Sequence, residues 1–276
     1  MAGALEPTRL DWPPILDRAK DIVATYDTGV TLRQLFYRLV AAGIIPNTQA
    51  AYKTLSNKTA KARREGAFPD LIDRTRRIHR DPRFQSPGAA LAWLAASYRR
   101  DRTEGQDVSL YLGVEKDGMV TQLEAWFGHL GLPILALGGY SSQTFTRQVG
   151  VDARRQRRPA VLLYGGDFDA SGEDIDRDFI ARTGCFSQVV RVALSEDQVD
   201  EHRLPPQPGK ATDSRANGFV ARHGRLVQVE LDALPPEVLR GLYQSAIDGF
   251  MDMSTYHAAL EREDRERGRL RALEVG

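Results

Sequence analysis

Between positions 108 and 194 the chain alternates short apolar runs with longer stretches of helical period. The runs at 108–115, 133–138, 160–167 and 187–194 have strand length and read as buried strands. The stretches at 118–129, 141–149 and 172–183 are long enough to cross between parallel strands. Together they predict β-α-β-α-β-α-β, an α/β fold built on a parallel sheet. Before this region the period is helical throughout. Residues 12–26 form a first candidate helix, and a second starts at Thr31, where Gln34 three residues on completes a capping box, and stops at Gly43. A third runs over 48–64. After 195 come a proline-rich turn at 204–208, a short strand over 226–231 and two helices from 236 to 273.

Three short helices, the last strongly basic, followed by a segment holding Arg74, Arg76, Arg77 and Arg80, suit a helix-turn-helix of the winged type. The third helix carries Lys53, Asn57, Lys58, Lys61, Arg63 and Arg64 with no acid before Glu65, which favours DNA contact over a merely solvated face. The proline-containing stretch 81–87 marks a boundary. The expected organisation is a DNA-binding unit over 1–82, a linker helix within 83–106, the sheet domain over 107–200 and a carboxyl-terminal extension over 201–276, a candidate for dimer contacts.

The chemistry concentrates where apolar runs end. The run from Val161 breaks into Asp167-Phe168-Asp169-Ala170-Ser171-Gly172, and the run from Val108 ends in Glu115-Lys116. Parallel strands deliver such residues to the carboxyl edge of the sheet, where α/β folds place their ligands. Like charges there repel and lose solvation unless a cation lies between them. Three hard oxygen donors, Glu115, Asp167 and Asp169, therefore point to magnesium. The bland alternative is three helix-capping or solvated acids. Lys210, Asp213, Arg215, Glu230 and Asp232 either support this edge or form structural salt bridges, and His79, His202, His223 and His257 show no ligand spacing.

Tyr37 is the second candidate. On a helical wheel the arc of Leu32, Leu35, Phe36, Leu39 and Val40 is centred roughly 130° away from it, so the phenol should leave the core. Arg33 lies one turn earlier on the same side, placed to hold a phosphate beside the phenol and to favour the phenolate. An assisted tyrosine can act as a covalent nucleophile; the alternative is a core tyrosine.

Charge and composition restrict the partners. Lys plus Arg (38) nearly equals Asp plus Glu (37), so nucleic-acid binding must come from local patches. One cysteine, Cys185, leaves no disulfide framework and no cysteine-based zinc site, and no signal pattern or membrane-length apolar run stands out. A soluble, cytoplasmic, nucleoid-associated protein is expected. Arg154-Arg155-Gln156-Arg157-Arg158 is a weaker basic tract, compatible with a solvated loop.

In combination these motifs resemble a known family. Val114-Glu115-Lys116-Asp117 and Gly166-Asp167-Phe168-Asp169-Ala170-Ser171-Gly172 are similar to the strand-end motifs of the Toprim domain. Phe168 and Ala170 stand where prolines are common there. Thr31-Leu32-Arg33-Gln34-Leu35-Phe36-Tyr37 resembles the arginine–tyrosine helix of the winged-helix domain in the topoisomerase VI A subunit and the related meiotic double-strand-break protein. Phe36 replaces the first of that family's usual two tyrosines, and Tyr37 falls at the catalytic place. The resemblance covers residues 30–195 and is greatest to the compact mini-A proteins of phages and plasmids.

It implies a winged-helix domain followed by a Rossmann-like Toprim domain and an enzyme that cuts double-stranded DNA through a 5′-phosphotyrosyl intermediate. Tyr37, Arg33 and Glu115 would be catalytic, and Glu115, Asp167 and Asp169 would hold magnesium. It also implies a homodimer whose tyrosine and acids come from different chains, and it is compatible with an ATPase B-type partner. A Toprim nuclease without covalent intermediate, a non-catalytic DNA-binding module and a haloacid-dehalogenase-like phosphatase are the alternatives.

Overall fold

The computed structural model describes residues 10–26, 29–72, 81–138 and 142–273. The arginine segment 74–80, with His79, lies outside them.

The amino-terminal unit holds α1 (Trp12–Ala24), α2 (Leu32–Ala41) and α3 (Gln49–Arg64). Each buries one stripe: Ile15, Ala19 and Ile22; Leu35, Phe36, Leu39 and Val40; Ala51, Leu55 and Ala62. The stripes meet in a single core closed by Val30, Ile45 and Phe68. The expected capping box is present, with Thr31 Oγ1 accepting from the Gln34 N–H at 3.2 Å and the Gln34 side chain accepting from the Thr31 N–H at 3.0 Å. At the other end of α2, Gly43 takes φ +68°, a left-handed conformation that a glycine adopts without a Cβ clash.

After α4 (Pro87–Ser97) the chain enters a four-stranded parallel sheet of β1 (Ser109–Val114), β2 (Ile134–Ala136), β3 (Ala160–Gly165) and β4 (Phe186–Ala193), in the order β2-β1-β3-β4. All four expected strands form. Their side chains alternate between two cores. Leu110, Leu112, Val114, Val161 and Leu163 face one side, and Tyr111, Leu162 and Tyr164 the other. Because both faces are covered, β1 and β3 are buried at every position, which is why they read as continuous apolar runs.

The first face is covered by α5 (Val120–Phe127) and α10 (Pro236–Asp248), the second by α6 (Gln143–Arg155) and α7 (Gly172–Thr183). The core thus continues past residue 200. Leu239, Tyr243 and Ile247 of α10 belong to it, and the Tyr243 hydroxyl donates to the Gly113 carbonyl at 2.7 Å. The polar helices α8 (Glu196–Glu201) and α9 (Ala216–His223) had no distinct sequence signal. The long final helix α11 (Met253–Ala272) packs on α4. There the buried Glu263 accepts from Arg102 at 2.7 Å, Arg267 at 2.6 Å and the Arg100 N–H at 2.9 Å, so its charge is compensated. No helix among the described residues is long and apolar enough to cross a membrane.

Candidate active site

The chain turns from β1 to β2 on one side and reaches β3 on the other, so the crevice beyond the carboxyl ends of β1 and β3 is the topological switch point. Glu115 and the Asp167 loop emerge there. The Glu115 N–H donates to the Gly165 carbonyl at 2.9 Å, and its Oε2 accepts from the Asp167 N–H at 2.8 Å. Gly172 permits the tight return of the loop, since a Cβ at that position would stand 2.3 Å from the Asp167 carbonyl oxygen and 3.2 Å from Glu115 Oε2. Arg191 ties the loop down from behind, donating to the carbonyls of Asp167 at 2.7 Å and Leu194 at 3.0 Å.

The three acids are not equivalent. Asp169 Oδ1 accepts from the N–H groups of Ser171 at 2.9 Å and Gly172 at 2.6 Å, and so holds the turn that leads into α7, whose N-cap is Ser171. Asp167 is buried and accepts from the Leu231 N–H at 2.7 Å. Burial pushes the carboxyls of both Glu115 and Asp167 up, an effect that the adjacent Lys116 opposes.

Lys116 is the hub of the site and had been assigned no role from sequence. Its Nζ lies 2.9 Å from Asp167 Oδ1 and 3.9 Å from Asp232 Oδ2, and it donates to Glu230 Oε2. Burial alone would lower the lysine pKa, but the carboxylates of Asp167, Asp232 and Glu230 raise it, so the ammonium stays charged. Glu230 and Asp232 reach the edge through a non-local bridge, in which the N–H of Phe168 donates to the Val229 carbonyl at 2.9 Å and the reverse bond measures 3.0 Å. The short pair β5 (Gln207–Pro208) and β6 (Val227–Gln228) leads into that bridge. His223 backs it, with Nε2 2.8 Å from Glu173, Nδ1 2.9 Å from Glu196 and its ring 4.9 Å from that of Phe168. Spacing could not reveal this, because both acids are distant in sequence.

Helix α2 closes the other side. Arg38 donates to the Ala233 carbonyl at 2.8 Å, Gln34 to the Gln122 side chain at 3.3 Å, and Arg33 Nη2 lies 3.4 Å from Glu230 Oε2. Tyr37 is thereby brought to the acid edge of its own chain, where the resemblance implied sharing between chains. The Arg33 guanidinium stands 5.1 Å and the Lys116 ammonium 5.4 Å from its ring centroid, both cation–π contacts. The ring is half-buried and packs edge-on against Phe36 at 5.3 Å.

The expected phenolate preference does not follow. Burial and the Glu230 carboxylate outweigh Arg33 and Lys116 and push Tyr37 up to about 12. A cavity of about 240 Å³ opens beside it, lined by Arg33, Phe36, Tyr37, Asn47, Thr48, Gln49 and Tyr52.

On α3 the side chains of Lys53, Asn57, Lys58, Lys61 and Arg64 are exposed. Arg63 is half-buried and donates to the Thr59 carbonyl at 3.3 Å. The chemistry of Glu115, Asp167 and Asp169 fits a hard divalent cation, each being engaged through one oxygen among the described residues. Among those residues, however, no three acids, histidines or cysteines are gathered into one metal-holding group. The Lys116 ammonium neutralises Asp167 instead. Comparison with protein-family models and with curated proteins returns no match for this chain.

Proposed function

We propose that the chain is a DNA-cleaving enzyme of the topoisomerase VI A type, with a winged-helix unit carrying the nucleophile Tyr37 and a Toprim-like sheet carrying the acids. One observation carries the reading: α2 docks so that Tyr37, flanked by Arg33 and Lys116, meets the switch point of a parallel sheet from which Glu115 and Asp167 emerge. A solvated tyrosine or three unrelated caps would need no such convergence.

In this mechanism the exposed cations of α3 hold duplex phosphates and orient a strand over the cavity beside Tyr37. The phenol oxygen attacks phosphorus, the bond from phosphorus to O3′ breaks, and a 5′-phosphotyrosyl link and a free 3′-hydroxyl result. Arg33 and Lys116 stabilise the charge gathering on the phosphoryl oxygens. Glu230 holds the phenolic proton, and Glu115, whose carboxyl burial pushes up, protonates the leaving oxygen. Magnesium, held by Glu115, Asp167 and Asp169, would supply Lewis-acid stabilisation of the phosphodiester. Two copies of the chain would provide one site per strand, with or without an ATPase B-type partner.

The elevated Tyr37 pKa favours a second reading, a Toprim nuclease in which metal-activated water does the cutting and Tyr37 only packs. Incubation with supercoiled DNA and magnesium, followed by denaturing gels with and without proteinase, separates the two. Protein-linked ends support the first, free ends the second, and intact DNA a non-catalytic binding module.

A further inference from the structure

We propose that Lys116 is an internal counter-cation of the acid edge, which occupies Asp167 until a divalent cation of the magnesium class displaces it onto Glu230 and Asp232. The inference rests on reading Glu115, Asp167 and Asp169 as a divalent-cation site. Its ground is the seating of the ammonium. The Lys116 side chain is 14% exposed, and its ammonium contacts Asp167 at the strand end together with Glu230 and, at 3.9 Å, Asp232. The latter two are outside the acid trio. They form a second seat that keeps the ammonium paired when Asp167 is surrendered.

Charge balance favours such an exchange. Five carboxylates, those of Glu115, Asp167, Asp169, Glu230 and Asp232, meet Lys116 and Arg33 at this edge, with Arg191 behind the Asp167 loop and Lys210 lining a cavity with Asp169, so the carboxylates remain in excess and a further cation is accommodated once Asp167 is released. A lysine suits the exchange because its compact point charge sits on a flexible stem, whereas a bidentate arginine would be fixed in place. Lys116 also touches the Tyr37 ring, so its relocation would be felt at the nucleophile.

Manganese titration of the full chain, followed by the electron paramagnetic resonance of free Mn²⁺, tests this without DNA. Lys116→Gln should bind Mn²⁺ at least tenfold more tightly than the unaltered protein, and adding Asp167→Asn should cancel the gain. Equal or weaker binding by Lys116→Gln overturns the proposal. If that variant does not fold, the unaltered protein decides: the Lys116 side-chain nitrogen resonance should shift on saturation with Mg²⁺, and an unmoved resonance overturns it. Tighter metal binding by Lys116→Gln with no DNA breakage by the unaltered protein would sink the cleavage reading and leave this one standing. Protein-linked breaks with metal affinity indifferent to Lys116 would do the reverse.

Discussion

Helices α2 and α3 lie side by side in one small core, yet they commit their polar residues in opposite ways. On α2, Arg33, Gln34 and Arg38 all reach partners across the groove, on Glu230, Gln122 and Ala233. On α3, Lys53, Lys58 and Arg64 are exposed, and among the described residues Lys61 meets Glu65 at 3.8 Å. The difference separates two kinds of charge. Groups paired across the domains, the buried Gln34, the half-buried Arg38 and the more exposed Arg33, are restrained in geometry and can serve chemistry, whereas solvated cations keep their rotamer freedom and serve long-range attraction. Substitutions on α2 should therefore change what happens to DNA, and substitutions on α3 how tightly it is held.

The sharpest break in that contrast is Tyr37→Phe, which removes one oxygen from a ring that keeps its packing against Phe36. Covalent attachment to DNA should vanish while affinity, measured by fluorescence anisotropy, stays within about twofold. Wild-type cleavage by this variant would leave Tyr37 a packing residue.

Asp167→Asn comes next, since it alters the sheet side of the same groove. If magnesium binds the folded state, saturation at a hundred times its dissociation constant adds about 2.7 kcal/mol, and the variant should lose most of that gain in calorimetry. An undiminished magnesium response would remove Asp167 from the metal site.

On α3 the expected effects are smaller and uniform. Lys53→Ala or Lys58→Ala should each reduce the slope of log affinity against log salt by about 1, regardless of DNA sequence, with the rate of bond breaking unchanged in bound complexes. A change in cleavage rate without a change in slope would erase the contrast between the helices.

The smallest effect concerns pH. Tyr37 is raised from 10.0 to about 12, so its contribution to stability is complete below pH 10 and is lost as the pH climbs through the folded value. Denaturant unfolding should show a shallower decline between these limits for Tyr37→Phe than for the unaltered chain. Identical slopes would mean that burial and the Glu230 carboxylate do not raise the phenol.

Much of this arrangement was legible because it depends on local periodicity. Four apolar runs gave four strands, Thr31 and Gln34 gave the start of α2, and the breaks after Val114 and Gly165 located the acids. What escaped depends on contacts between distant segments. The Phe168–Val229 bridge delivers Glu230 and Asp232 to Lys116, and no spacing rule connects residues that far apart. The wheel expected Tyr37 to leave the core, yet its ring packs at the edge of its own unit's core, against Phe36, and a wheel considers one interface while α2 has a second against the sheet domain. Asp169 shows the converse limit, since one carboxylate can both hold the turn into a helix and present an oxygen to a ligand.

The central claim is that Tyr37 works with the acid edge of its own chain. Two-tag purification of heterodimers tests it most directly, in two arrangements of the same two lesions. With Tyr37→Phe and Glu115→Ala together in one chain and an unaltered partner, the account predicts nicking of one strand. With the lesions split between the chains it predicts no cleavage, because neither chain keeps a whole site. Nicking by the split pair and silence from the combined one would contradict it, assigning the tyrosine and the acids of each site to different chains.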